Sequence, residues 1–214
     1  MNTATVFPAQ PIKLHGFHLS GHSHRVELFL ALLKLPYVMV AVDLAAGAHK
    51  QPAFLALNKF GQVPVIQDGD VTLADSNAIL LYLASKYDAG QWLPRDPVAA
   101  AAVQRWLTVA AGPLAFGPAT ARLAVLFKAP VDADAAIARA KELFAVMEEE
   151  LTTRPFLTGN TPTIADIANY TYIALAPEGN VSLDPYPHLR SWLQRIEAFP
   201  GFVPMVKSAV GLAA

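Results

Sequence analysis

The sequence predicts a small α/β domain followed by an all-helical one. Three observations predict it. Strand-like and helix-like patterns alternate up to residue 87. A short break then carries Gly90 and Pro94, with Pro97 at its edge. Beyond the break no strand pattern appears. The boundaries read as 1–87 for the α/β domain, 88–96 for a linker and 97–214 for the helical domain.

Ile12–Phe17 places apolar residues at alternate positions and reads as a strand. Ser23–Leu33 has helix period, and Pro36 stops it. Tyr37–Leu44 is rich in valine and reads as a second strand, and Gln51–Leu57 as a short helix. Val63–Gln67 and Val71–Ala74 are strands joined by Asp68-Gly69-Asp70, a hairpin signal. Asp75 and Ser76 suit the cap of a helix running over Asn77–Tyr87. The order β-α-β-α-β-β-α implies a parallel crossover first and a tight antiparallel pair last. In the second half Pro97–Leu126 is Ala-rich with helical period. It breaks near Gly112-Pro113 or Gly117-Pro118. Asp134–Leu151 is amphipathic, and Thr163–Leu175 and Pro187–Phe199 complete the helices.

Composition narrows the function classes. A net charge of −1 offers no electrostatic case for nucleic acid. Mean hydropathy is positive, yet the most apolar stretches, such as Val26–Leu33, are short for a membrane span. Met1–Pro11 lacks the basic-then-apolar order of a leader, so a soluble cytoplasmic protein is expected. The chain has no cysteine. Disulfides, thiolate metal sites and cysteine nucleophiles are therefore excluded, and any thiol chemistry must use a ligand's thiol.

Residues 15–24 hold four of the six histidines, His15, His18, His22 and His24. Metal ligands must converge, and these fall on a strand, a loop and a first helical turn. No acidic residue lies from Ile12 to Val26, so no metal is expected. Ser20 lies between strand and helix, but the G-x-S-x-G elbow of a Ser-His-Asp hydrolase is absent. A further reading uses the helix. Ser23 is placed as its N-cap, with free amides and a partial positive charge behind it. A Ser20 hydroxyl at that point can donate to a thiolate and lower its pKa. Equally, both serines can simply cap and turn the chain. Gly61-Gln62-Val63-Pro64-Val65 is either an ordinary strand edge or, with a cis Val63–Pro64 bond, a backbone pairing site for an extended peptide. Asp75-Ser76 is either a plain cap or a receptor for an amino-acid head, with Ser76 and a helix amide on the carboxylate and Asp75 on the ammonium.

These features, in this order and spacing, resemble the cytosolic glutathione transferase family from Ile12 to about Val206. Leu19–Val26 looks like the family's segment between first strand and first helix. Asn58–Val65 is similar to N-P-x-G-x-V-P, the stretch that carries its cis-proline. Asp75–Ile79 resembles E-S-x-A-I. Thr163-Ile164-Ala165-Asp166 resembles the family's capping box, and reciprocal bonds between Thr163 and Asp166 support folding there on physical grounds alone. Lys59 stands where the family usually has proline, and Asp75 where it usually has glutamate.

The resemblance implies a thioredoxin-like N-terminal domain, an all-α C-terminal domain, a homodimer and a role in detoxification. It implies glutathione as co-substrate, with no metal, nucleic acid or membrane partner. Ser20 becomes the catalytic hydroxyl facing the sulfur, as in serine-type members that are theta-, delta- or zeta-like and bacterial. Val63, flanked by Gln62 and Pro64, pairs with the cysteinyl backbone. Asp75 and Ser76 hold the γ-glutamyl head, and Lys50 or His49 meets the glycyl carboxylate. Without cysteine, mixed-disulfide exchange is not expected. Conjugation of glutathione to a small apolar electrophile is the expected activity. The rivals are a glutathione-binding module without turnover and a glutathione-dependent peroxidase or isomerase. Phe17, Trp106, Phe116, Leu123 and Phe127 are open between acceptor pocket and core.

Overall fold

The computed structural model describes residues 7–214, so Met1–Val6, the start of the stretch read for a leader, lies outside the described residues. The chain divides into two compact units. One runs to Leu93 and is joined by Pro200–Met205; the other is Pro94–Phe199 with Val206–Ala214.

The first unit carries strands β1 (Ile12–Gly16), β2 (Tyr37–Ala41), β3 (Val65–Asp68) and β4 (Val71–Ala74), and helices α1 (Gly21–Leu32), α2 (Pro52–Leu55) and α3 (Ser76–Tyr87). The sheet order is β2-β1-β3-β4. β1 and β2 run parallel, from Ile12 opposite Tyr37 to Gly16 opposite Ala41. β3 is antiparallel to both β1 and β4. The parallel pair needs the α1 crossover, and the antiparallel pair needs only the turn at Gly69, whose φ is 59°. Ile12, Leu14, Val65 and Ile66 from the sheet are fully buried, as are Val26, Phe29 and Leu30 of α1 and Ile79 and Leu83 of α3. Each such side chain contributes about 1.5–3 kcal/mol against exposure. Val42, Phe54 and Val65 form a cluster with Leu44, Val63 and Ala74 packed against it.

Two details differ from the sequence reading. Helix α1 begins at Gly21, and its cap lies three residues before the expected cap Ser23. Ser20 has an extended backbone and caps the helix, its Oγ accepting from Ser23 N at 3.2 Å. Ser23 is buried inside the first turn, where its Oγ accepts from Phe17 N at 3.2 Å. Second, Asp68 is more than a turn residue. It is 6% exposed, and its Oδ2 accepts from Tyr82 Oη, Lys86 Nζ and Tyr87 Oη at 2.7, 2.8 and 2.6 Å. That carboxylate ties α3 to the hairpin.

The second unit holds α4 (Pro97–Ala111), α5 (Thr120–Leu126), α6 (Ala133–Glu150), α7 (Ile164–Ala174) and α8 (Pro187–Glu197). The break after α4 takes in both expected dipeptides. Gly112 leaves the helical region, and Pro118 sits within a π-helical turn, Ala115–Ala119. Pro97–Leu126 as a whole is long and apolar enough to cross a membrane by length and composition. The sequence reading passed over this run, because Ala-rich stretches look like ordinary helix. Here its buried face, with Val103, Trp106, Leu107 and Ala110, packs within the unit, and Asn169 Nδ2 donates to Trp106 O at 3.1 Å. Arg122 and Glu178 form a buried ion pair at 2.6 Å. Thr163 and Asp166 make the expected capping box at the start of α7.

Candidate functional site

A cavity of about 680 Å³ opens in the first unit. Its lining contains seven of the eight residues singled out from the sequence: His49, Lys50, Gln62, Val63, Pro64, Asp75 and Ser76. The chain brings them from three places, the turn after β2, the turn before β3 and the start of α3. Ser20, the eighth, is half-buried at the N-cap of α1 and is not among the lining residues. His22, two positions further along, is.

The turn Ala48–Lys50 follows Gly47, which is left-handed at φ 71°. Lys50 Nζ donates to the carbonyls of Phe60 and Gly61 at 3.3 and 3.0 Å. An ammonium has three donors, so one is left for a ligand. Gly61 makes this approach possible. Its φ is +58°, and a Cβ there would lie 2.8 Å from His49 O and 2.9 Å from Lys50 Nζ. Asn58 braces the same loop, donating to Gln62 O at 2.9 Å and accepting from Phe60 N at 3.1 Å. His49 Nδ1 is buried and has no hydrogen-bond partner among the described residues.

The next turn carries a cis Val63–Pro64 bond. Then comes the start of α3. Asp75 is exposed and sits at φ 73°, a costly conformation for a residue with a Cβ. Its Oδ1 accepts from Ala78 N at 2.9 Å. Ser76 is 4% exposed, and Arg25 Nη1 donates to its Oγ at 2.8 Å and to Asn77 Oδ1 at 2.8 Å. His22 Nδ1 stands 3.3 Å from the same hydroxyl. Burial, then the charge on Arg25, lowers the His22 pKa to about 3, so its ring is neutral.

The four histidines therefore go separate ways. His15 Nε2 meets Gln67 Oε1 at 2.9 Å. The His18 ring packs edge-on against Phe17. His22 faces the cavity, and His24 is 4% exposed with Nε2 donating to Val203 O at 2.8 Å. His22 is helical rather than in the expected loop, and His24, in the first helical turn as expected, is buried. Among the described residues no three His, Asp or Glu side chains gather as metal ligands.

Sequence reasoning missed Arg25 and Asn77 as the groups behind Ser76. One signal was available: His22 and Arg25 are three apart and share a face once α1 starts at Gly21. Of the five residues offered for an acceptor pocket, Trp106 and Phe116 line a cavity of about 670 Å³ in the helical unit. Leu123 and Phe127 are exposed there.

Comparison with known proteins identifies the family. Residues 10–85 match the family model "Glutathione S-transferase, N-terminal domain", and residues 114–200 match "Glutathione S-transferase, C-terminal domain". Glutathione S-transferase 3 of Zea mays is 38% identical, over 90% of this chain and 91% of its own. A glutathione S-transferase crystal structure from Pseudomonas fluorescens is 35% identical with TM-score 0.87, covering 92% of this chain and 100% of that one. A glutathione transferase homolog from Drosophila mojavensis, with bound glutathione, is 30% identical with TM-score 0.81, covering 89% of each chain. With both halves matched in order on a thioredoxin-like sheet and a helical unit, the chain belongs to the glutathione S-transferase family.

Proposed function

We infer that the chain is a glutathione transferase, which activates the glutathione thiol for attack on a small apolar electrophile. The observation that carries this is the convergence of His49, Lys50, Gln62, Val63, Pro64, Asp75 and Ser76 on one cavity. The third donor of Lys50 suits the glycyl carboxylate, and His49 lines the same cavity. The Val63 backbone pairs with the cysteinyl residue as an added strand would. Asp75 takes the γ-glutamyl ammonium and Ser76 its carboxylate.

Ser20 supplies the catalytic hydroxyl. Its oxygen already accepts from Ser23 N, and a hydroxyl keeps one proton to donate. That proton, with the amides at the start of α1, stabilises a thiolate over a thiol of pKa about 8.5. The thiol proton leaves to solvent. The sulfur lone pair forms the S–C bond, and the bond from that carbon to its leaving group breaks, the group departing with the electron pair. We assign the protein to the cytoplasm, where glutathione is abundant and a chain without cysteine needs no oxidising compartment. We also assign a homodimer, the state that the resemblance implies.

One observation favours a second reading, binding without turnover: Ser20 lies outside the cavity lining. Ultraviolet absorbance of bound glutathione thiolate against pH, for the wild type and Ser20→Ala, separates the two. A thiol pKa lowered in the wild type and restored toward about 8.5 in S20A supports catalysis. Binding with an unshifted thiol pKa supports the second reading, and no binding overturns both.

A further inference from the structure

Arg25 is among the largest side chains that are fully buried, at 1% exposure. A guanidinium out of water is costly unless its donors meet good acceptors. This one reaches from α1 to the first two residues of α3. Nη1 donates to Ser76 Oγ and to Asn77 Oδ1, both at 2.8 Å. The acceptors lie 51 and 52 positions away in sequence, so neither pattern nor spacing announces the contact.

Its consequence falls on one hydroxyl. Ser76 Oγ has one proton and two lone pairs. Arg25 occupies one lone pair, and His22 in its Nδ1–H tautomer donates to the other from 3.3 Å. The hydroxyl proton is then left for a ligand in the cavity that Ser76 lines. A hydroxyl held from behind by a cation is a better donor in front, because hydrogen bonds in a chain polarise one another. The neutral state of His22 leaves Arg25 as the cation of this trio.

We propose that Arg25 is a positioning residue, which fixes Ser76 Oγ as a donor toward the α-carboxylate of the γ-glutamyl head without touching the ligand. This rests on the glutathione reading of the cavity. It differs from plain structural support in one respect. A brace for the fold serves every ligand alike, whereas a brace for one hydroxyl serves the one carboxylate that hydroxyl binds.

The test is calorimetric binding of two ligands, glutathione and its analogue lacking the γ-glutamyl α-carboxylate (4-aminobutyryl-Cys-Gly). The proteins are wild type, Arg25→Lys, Ser76→Ala and the double variant. Lysine keeps the charge but loses the guanidinium fork. The expected result is a loss of about tenfold in glutathione affinity for R25K, with the analogue changed less than about twofold. In kinetics with an electrophile the loss falls on KM for glutathione more than on kcat. In the S76A background, R25K costs little further, since the hydroxyl it serves is gone. Equal weakening of both ligands, or losses that simply add, overturns the proposal. If R25K does not fold, Asn77→Ala decides, since it removes one acceptor and leaves the guanidinium in place. A smaller loss for glutathione alone supports the proposal, and no loss or an equal loss overturns it. Wild type that binds neither ligand overturns the glutathione reading and the proposal with it. Wild type that binds glutathione while R25K is indifferent overturns the proposal alone.

Discussion

At the start of α7, Thr163 and Asp166 are buried side by side; at the start of α3, Asp75 and Ser76 stand at the wall of a cavity. The residue types are nearly the same, and each pair opens a helix. Asp166 is 0% exposed. Its Oδ1 accepts from Leu157 N and Trp192 Nε1, both at 2.9 Å, and its Oδ2 accepts from Thr163 N at 2.8 Å. Both oxygens are taken up inside the protein, so nothing is left for a ligand. Asp75 caps with Oδ1 alone among the described residues, is exposed, and holds a left-handed backbone. A cap whose acceptors are all satisfied internally serves the fold. A cap that stays partly open beside a cavity, at a strained φ, has capacity left for binding.

The sharpest way to break this contrast is Asp166→Ala. It leaves two backbone amides and an indole N–H without their carboxylate in a dry environment. A loss of about 3–5 kcal/mol in unfolding free energy is expected, enough to prevent folding in a marginal background. Urea denaturation measures it. A loss below about 1 kcal/mol would remove the distinction between the two caps.

The next effect is pH dependence, and it belongs to the start of α1, where His22 faces the cavity and His24 is buried against Val203. His22 and His24 have pKa values lowered from 6.5 to about 3 and about 4, in both cases chiefly by burial. Their folded values lie below the unfolded one. Between about pH 6.5 and 4 the unfolded chain thus binds more protons, and stability falls as pH falls. With both rings contributing, the slope approaches about 2.7 kcal/mol per pH unit. His22→Gln removes about half of it. Denaturation midpoints that stay flat from about pH 7 to 5 would show that the enclosed rings take up protons without cost.

The two helix starts also differ in how far the sequence announces them. The capping box is local: Thr163 and Asp166 are three apart, and the bonds they exchange need no other element. The element order and the parallel-then-antiparallel sheet were legible for a similar reason, since periodicity and turn chemistry act over a few residues. The start of α1 was not. Ser20 and Ser23 both suit an N-cap, and with the cap set at Ser23 the residue His22 reads as part of the loop before it. His22 is helical, and its partner Ser76, like those of His24 and Arg25, lies at a distant position. The motifs around Val63-Pro64 and Asp75-Ser76 were legible as local patterns. That they share one cavity with Lys50, held by the Phe60 and Gly61 carbonyls, is a property of the folded chain.

A smaller effect separates the two duties of Asp75. Asparagine caps a helix about as well as aspartate. Asp75→Asn is therefore expected to change unfolding free energy by less than about 0.5 kcal/mol. If Asp75 takes the γ-glutamyl ammonium as proposed, removing its charge is expected to weaken glutathione binding about tenfold, seen by calorimetry. Loss of stability without loss of affinity would make Asp75 a cap and nothing more.

The smallest expected effect comes from a third cap that resembles each of the others in one respect. Asp96 opens α4, and its Oδ1 accepts from Val98 N and Ala99 N at 3.1 and 2.9 Å. It is exposed like Asp75 but does not line the cavity, and its backbone φ of −63° is unstrained. If exposure alone made a cap functional, Asp96 would qualify. If an opening onto a cavity is what matters, Asp96→Ala costs about 1 kcal/mol of stability, as an ordinary exposed cap does, and leaves glutathione affinity unchanged. Parallel denaturation and calorimetry on D96A and D75N then give opposite pairs of results. A fall in glutathione affinity in D96A would mean that capping strength at any helix reaches the cavity, and the contrast between α3 and α7 would lose its basis.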